Sequence, residues 1–202
     1  MATCSPADVE AVAARVLASG RTFVDAPVSG GVKGAVSGTL TIMAAAPAEV
    51  LERVRPVLAV FGDKLFHVGT SPGQGAMVKT INQLLCGVHI AACAEAFSLA
   101  GKAGLDEAQL LEILSGSAAS SWMLRDRGPR MLEDEPVVAS AVDIFVKDLG
   151  LVLDAGRASK AALPLSAAAH QMFLAASGLG HGRADDSQVL RAYRALSPPA
   201  AD

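Results

Sequence analysis

A chain of 202 residues is long enough to bury a core without disulfide or metal staples, as one domain or as two small ones. Hydrophobic residues reach 51% and charged residues 18%, more apolar surface than one small globule hides, which points to a homodimer or higher homo-oligomer. The net charge of -3, from 17 basic and 20 acidic side chains with no basic stripe, excludes a nucleic-acid partner, and no run of ~18 uninterrupted apolar residues offers a membrane span.

Residues 5–19 read as a helix, with Ser5 as N-cap, Pro6 in the first turn, Val9, Val12, Val16 and Leu17 along one side, and Gly20 as the stop. Thr22 to Ala26 reads as a short strand running into a glycine-rich loop, and Gly38 to Ala44 as a second strand. Pro47 opens a helix whose Val50, Val54, Val57 and Leu58 recur at helical spacing, and Lys64 to Val68 is a third strand. This alternation is that of a layered α/β sheet, and three strands make a thin one.

After Gly69 the pattern becomes helical throughout. Residues 73–102 form one long helix that is apolar nearly all round, through Ile81, Leu84, Leu85, Val88, Ile90, Ala91, Ala94 and Phe97. Such a helix has to be buried, in one core or between subunits. Further helices are expected near 106–116, 120–134, 139–160, 164–178 and 186–196, punctuated by glycine and proline. The fold class is therefore α/β followed by all-α, with 1–70 as the α/β segment, 71–196 as the helical domain and 197–202 as a disordered tail.

Cys4, Cys86 and Cys93 make no disulfide framework. The last two lie seven apart on one helix, roughly 10 Å at its rise per residue, too far for a bridge. They read as small core residues in a reducing cytoplasm, where the lack of a secretory leader pattern also puts the chain. His67, His89, His170 and His181 show no metal-ligand spacing, so no metal site is expected.

Two places carry polar chemistry in apolar surroundings. Asp25-Ala26-Pro27-Val28-Ser29-Gly30-Gly31 puts a hydroxyl before two residues without Cβ, so its N–H groups can approach a small anion such as a carboxylate. Alone, the Ser-Gly-Gly run also reads as a plain turn. Lys79, Asn82 and Gln83 share one face of the long helix. Lys79 reads either as a snorkelling lysine or as a general acid/base whose amine is tuned downward by burial and a nearby cation. Lys147-Asp148 is a solvated or mutually paired couple, or a second cation beside an anionic or cofactor pocket. Trp122 reads as a core residue more readily than as a substrate wall, and Asp185-Asp186-Ser187 as the N-cap of the last helix.

Taken in order, Asp25 to Gly31, Gly38-Thr39-Leu40, Gly73-x-Gly75-x3-Lys79-x2-Asn82-Gln83 and Phe145-Val146-Lys147-Asp148-Leu149 resemble the 3-hydroxyisobutyrate dehydrogenase family of β-hydroxyacid dehydrogenases. The resemblance runs from about Thr3 to Tyr193. Residues 82–92, 140–152 and Gly180-His181-Gly182-Arg183 with Asp185-Asp186-Ser187 look most like its L-threonate branch. It implies an oxidoreductase passing a hydride from the secondary alcohol of a small hydroxy acid to NAD, with NADP not excluded. It further implies Lys79 as catalytic acid/base, Ser29, Gly30 and Gly31 on the substrate carboxylate, Asn82 at the reacting hydroxyl, and Thr3 and Lys147 on the cofactor. Ala2 replaces the serine that precedes the threonine in the family pattern, and Ala45-Ala46 replaces its small Gly-Gly.

No G-x-G-x-x-G occurs in the sequence. The expectation is a chain that begins within the last part of a Rossmann domain, so that the sheet is its C-terminal remnant, the long helix is interdomain, and NAD binding in isolation is weak or absent. Two other readings stay open: a non-catalytic dimerisation or ligand-binding module, and one half of a split dehydrogenase.

Overall fold

A computed structural model describes residues 1–198. Most of the expected tail, from residue 199 on, lies outside the described residues. The chain divides into two compact units, Met1–Gln83 and a second that begins at Leu84.

The first unit opens with α1 (Pro6–Ala18), capped by Ser5 Oγ, which accepts the Asp8 N–H. Its apolar stripe is less buried than the spacing predicts. Ala13 is the buried residue of this helix, whereas Val12 and Leu17 are exposed. The sheet has the order β1–β2–β3, with β1 (Val28–Ser29) antiparallel to β2 (Thr41–Ala45) and β2 parallel to β3 (Lys64–Gly69). The parallel pair needs a crossover, which α3 (Ala48–Leu58) supplies. Ile42, Ala44, Leu51 and Leu58 form the core between sheet and helix.

The strand expected at 22–26 is not formed. Asp25 makes an isolated bridge with Ala45, and the strand proper begins only at Val28. Pro27 lies between them and has no N–H to give to a ladder; its carbonyl still accepts the Met43 N–H at 3.0 Å. The glycine-rich stretch, read as loop, holds a two-turn helix, α2 (Gly31–Ser37). Its glycines give low helix propensity and Gly30 brings no side-chain cap, so the usual signals are missing.

The helix α4 (Gln74–Lys102) is as long as expected. By length and composition alone it could cross a membrane, but Ile90, Ala94 and Phe97 are fully buried in the core of the second unit. Full burial within the chain does not hold: Met77, Ile81 and Leu85, four residues apart, are exposed. Its start has a sharp constraint. A Cβ at Gly75 would lie 2.7 Å from the Met43 carbonyl oxygen and 2.9 Å from that of Asp25, both backbone atoms that cannot turn aside. We expect Gly75→Ala to cost about 1–3 kcal/mol despite alanine's better helix propensity, measured by urea unfolding; an unchanged midpoint would refute the close approach.

The second unit packs α5 (Glu107–Ser115), α6 (Trp122–Met131), α7 (Val142–Ser159), α8 (Pro164–Ala176) and α9 (Leu190–Leu196) with the rest of α4. Phe145 and Phe173 stack with ring centres 5.2 Å apart. Cys86 and Cys93 are buried here, and burial pushes the Cys93 thiol up to about 11, so it is a protonated core group at neutral pH. The expected 164–178 helix ends at Ala176 in a π-turn, Ser177–His181, whose Ser177 hydroxyl donates to Asp143 Oδ1 at 2.6 Å. The expected last helix starts as a 3₁₀ turn, Asp186–Val189.

A buried charge network ties this turn to α6. Arg127 donates from Nε and Nη2 to the two oxygens of fully buried Asp186, at 3.1 and 2.9 Å, and from Nη1 to Asp126 at 2.5 Å. Arg130 Nε lies 3.2 Å from Asp185, which takes the Ala139 and Ser187 N–H groups. Asp185 thus caps as expected, but Asp186 serves the ion pair. Trp122 is not the core residue expected: half its surface is exposed, with the Arg127 guanidinium 5.7 Å from its ring centre.

Candidate active site

The proposed acid/base sits one turn beyond the start of α4. Lys79 is 8% exposed, and its Nζ donates to Asn82 Oδ1 at 3.2 Å, so the i, i+3 spacing becomes a direct contact. With its oxygen turned to the amine, the Asn82 amide directs its nitrogen, a donor, away from it. Within the same turn the Thr80 hydroxyl donates to the Ala76 carbonyl at 2.9 Å.

The segment expected to cradle a carboxylate is built on the sheet side of the same unit. Ser29 is the last residue of β1, paired with Thr41 of β2. Gly30 and Gly31 follow with φ of +130° and +60°, conformations that L side chains rarely adopt. A Cβ at Gly30 would also crowd Leu40 Cδ2 at 3.1 Å. The chain then enters α2, whose first bond runs from Gly34 N–H to the Gly30 carbonyl, leaving the N–H groups of the first turn without helical acceptors.

One residue ties the cradle segment to the lysine's helix. Asp25, four positions before Ser29, is 5% exposed and exchanges both backbone hydrogen bonds with Ala45, at 3.1 and 2.7 Å. Its Oδ2 accepts the N–H of Gly73 at 3.0 Å and that of Ala76 at 2.9 Å, so a buried carboxylate closes the N-terminus of α4. A cap of this kind contributes about 0.5–2 kcal/mol, and its charge complements the positive end of the helix dipole. Sequence reading counts Asp25 only as the head of the Ser-Gly-Gly run. Its partners lie 48 and 51 residues away, and no local signal announces them.

The residues expected on the cofactor belong to different units. Thr3 is half-buried in the segment before α1. Lys147 is on α7 in the second unit, its side chain 52% exposed, with Nζ donating at 2.5 Å to Asp148, which is buried. The couple is thus mutually paired, with the ammonium still reaching solvent.

Residues 73–193 match the family described as NAD-binding of NADP-dependent 3-hydroxyisobutyrate dehydrogenase, and residues 1–69 match the NAD binding domain of 6-phosphogluconate dehydrogenase. The L-threonate dehydrogenase of Cupriavidus necator is similar at 48% identity over 198 residues, which cover 98% of this chain and 67% of the relative. The crystal structure of 3-hydroxyisobutyrate dehydrogenase from Salmonella typhimurium has a TM-score of 0.89 at 42% identity, over 94% of this chain and 66% of that one. That of the Mycobacterium tuberculosis enzyme with L-serine has a TM-score of 0.83 at 33% identity, over 95% of this chain and 68% of that one. The chain therefore spans about two thirds of the length of the relatives it matches. A mostly helical chain with a small sheet, matched through its helical part and alike over nearly all its length to these dehydrogenases, belongs to the 3-hydroxyisobutyrate dehydrogenase family.

Proposed function

We propose that this chain carries the substrate and acid/base machinery of an NAD(P)-dependent dehydrogenase acting on the secondary alcohol of a small hydroxy acid, a tetronate such as L-threonate or a 3-hydroxyisobutyrate-like acid. The observation that carries the reading is the buried amine of Lys79 bonded to Asn82, on a helix capped from the same segment that bears Ser29-Gly30-Gly31. The names of the relatives support the substrate class: L-threonate dehydrogenase at 48% identity, and a 3-hydroxyisobutyrate dehydrogenase with L-serine, itself a small hydroxylated acid.

In this reading the Ser29 hydroxyl and the Gly30 and Gly31 N–H groups take the substrate carboxylate, and Asn82 holds the reacting hydroxyl through its amide nitrogen. Neutral Lys79 removes the hydroxyl proton, and Asn82 keeps its Nζ in line. We assign the Thr3 hydroxyl to the cofactor and the solvent-reaching Lys147 ammonium to its nicotinamide end, whereas the sequence holds no G-x-G-x-x-G for the diphosphate. When bound, the cofactor accepts the hydride. We read 1–70 as the C-terminal part of a Rossmann-type domain, 71–196 as the helical domain, and α4 as the helix joining them. The exposed row of Met77, Ile81 and Leu85 supports a homodimer or higher homo-oligomer, and the burial of Cys86 and Cys93 as small core residues supports a reducing, cytoplasmic setting.

The test is NAD and NADP reduction with a panel of hydroxy acids that includes L-threonate and 3-hydroxyisobutyrate. It uses this chain alone and this chain completed with the segments of the Cupriavidus necator relative that it does not span. Turnover of at least one acid by the completed protein is expected. Turnover of none removes the enzyme reading in favour of a binding module.

A further inference from the structure

We propose that Asp25 is a positioning residue for Lys79: by clamping the first turn of α4 to the sheet, it fixes where the amine is presented. This inference rests on the acid/base role proposed for Lys79.

Three observations converge on Asp25. Its backbone is fixed first, by the paired bonds to Ala45, whose own side chain is buried in the strand β2. From that base a single carboxylate oxygen takes two N–H groups, Gly73 and Ala76, which lie on either side of the helix start. Between them Gly75 brings the helix backbone so close to the Asp25 and Met43 carbonyls that a methyl group would not fit. The first turn of α4 is thereby fixed in rotation and in height against two sheet segments.

Lys79 lies three residues beyond Ala76, less than one helical turn, so its Cα inherits the setting of that turn. An amine several ångströms from the helix axis swings by roughly 1 Å for a helix rotation of about 10°, and misplacement of that size costs on the order of 100-fold in rate. Asp25 also begins the segment that reaches Ser29 four residues later, where β1 is in register with β2. The position of the amine and that of the cradle are thus both set from one residue. An ordinary N-cap only adds stability; this one adds alignment of two halves of a site.

Asp106 supplies the control. It caps α5 with the same number of bonds, to the Ala108 and Gln109 N–H groups at 2.9 and 3.1 Å, on a helix with no proposed site residue. The experiment compares Asp25→Ala, Asp25→Asn and Asp106→Ala in the completed protein. Steady-state kinetics with the hydroxy acid that is turned over are measured alongside trace acetylation of lysines, read by peptide mass spectrometry. Lys33 and Lys64, both exposed in the same unit, are internal standards.

For Asp25→Ala, Lys79 acetylation is expected to rise about tenfold against both standards as the first turn loosens. Its kcat should fall about 10- to 100-fold, with KM for the acid within about threefold. Asp25→Asn, which keeps an oxygen acceptor in place, should recover most of both. Asp106→Ala should lower thermal stability and leave Lys79 acetylation and kcat unchanged. Lys79 acetylation that does not move in Asp25→Ala, or kcat that moves equally in Asp106→Ala, overturns the proposal. If Asp25→Ala does not fold, Asp25→Ser, whose hydroxyl is too short to reach both N–H groups, takes its place with the same expected rise. Should the wild type turn over no hydroxy acid, the acetylation measurements still decide the positioning role, and only the activity reading falls.

Discussion

Lys79→Ala in the completed protein should lower kcat about 10²- to 10⁴-fold, the range that positioned proton transfer supplies. KM for the acid should change little, because the residues proposed to hold its carboxylate, Ser29, Gly30 and Gly31, are on β1 and at the entrance of α2 rather than on α4. Stability should hold or rise slightly. A lysine only 8% exposed bears a desolvation cost that alanine does not, and alanine is the better helix former. Lys79→Arg should be as inactive as alanine, since a guanidinium does not give up its proton at working pH and its planar fork does not reproduce the point contact that Nζ makes with Asn82 Oδ1. Partial recovery of Lys79→Ala by small exogenous amines would identify the missing group as the proton acceptor. A loss of less than about tenfold in kcat, with the protein folded, would assign Lys79 to packing and leave the chemistry to another group.

How much of this could be read from residues alone depends on how local each feature is. The long helix and the shared face of Lys79 and Asn82 follow from spacing within a few positions, and the structure turns that spacing into a 3.2 Å contact. The strand at Lys64 to Gly69 is equally local. The first strand starts later than its residues suggest because a single proline, Pro27, interrupts the ladder between Asp25 and Val28, and α2 carries no sequence signal because glycines make its opening turn. Features set by distant partners were not visible at all. Asp25 meets Gly73 and Ala76 from 48 and 51 residues away, and Arg127, whose guanidinium lies 5.7 Å from the ring centre of half-exposed Trp122, is held by Asp186 across 59 residues of sequence. Composition ranks tryptophan as a core residue, but it does not weigh the demand of a buried carboxylate for that guanidinium.

That demand sets the second large effect, on stability. Burial pushes the Asp186 carboxyl above the ordinary carboxylate range; the hydrogen bonds and charge of Arg127 pull it back without cancelling the rise, and the neighbouring Asp185 adds to it. For Arg127 burial works against the cation, but Asp186 and Asp126 outweigh it, and its proton is held more firmly than usual. The pair is thus mutually dependent: neither charge is well placed without the other. Asp186→Ala removes both oxygens that Arg127 reaches with Nε and Nη2, leaving the guanidinium with Asp126 and the Trp122 ring, and should cost about 3–5 kcal/mol in urea unfolding. Arg127→Met combined with Asp186→Leu should cost less than either single change, because replacing a buried pair by apolar groups also removes the desolvation penalty that a lone partner leaves exposed. The second unit should carry the whole effect, so amide exchange should quicken in α6 and α9 and stay unchanged in the β2–β3 ladder of the first. A cost below about 1 kcal/mol for Asp186→Ala would mean that Arg130 and Asp185, 3.2 Å apart, hold the turn to α6 without it.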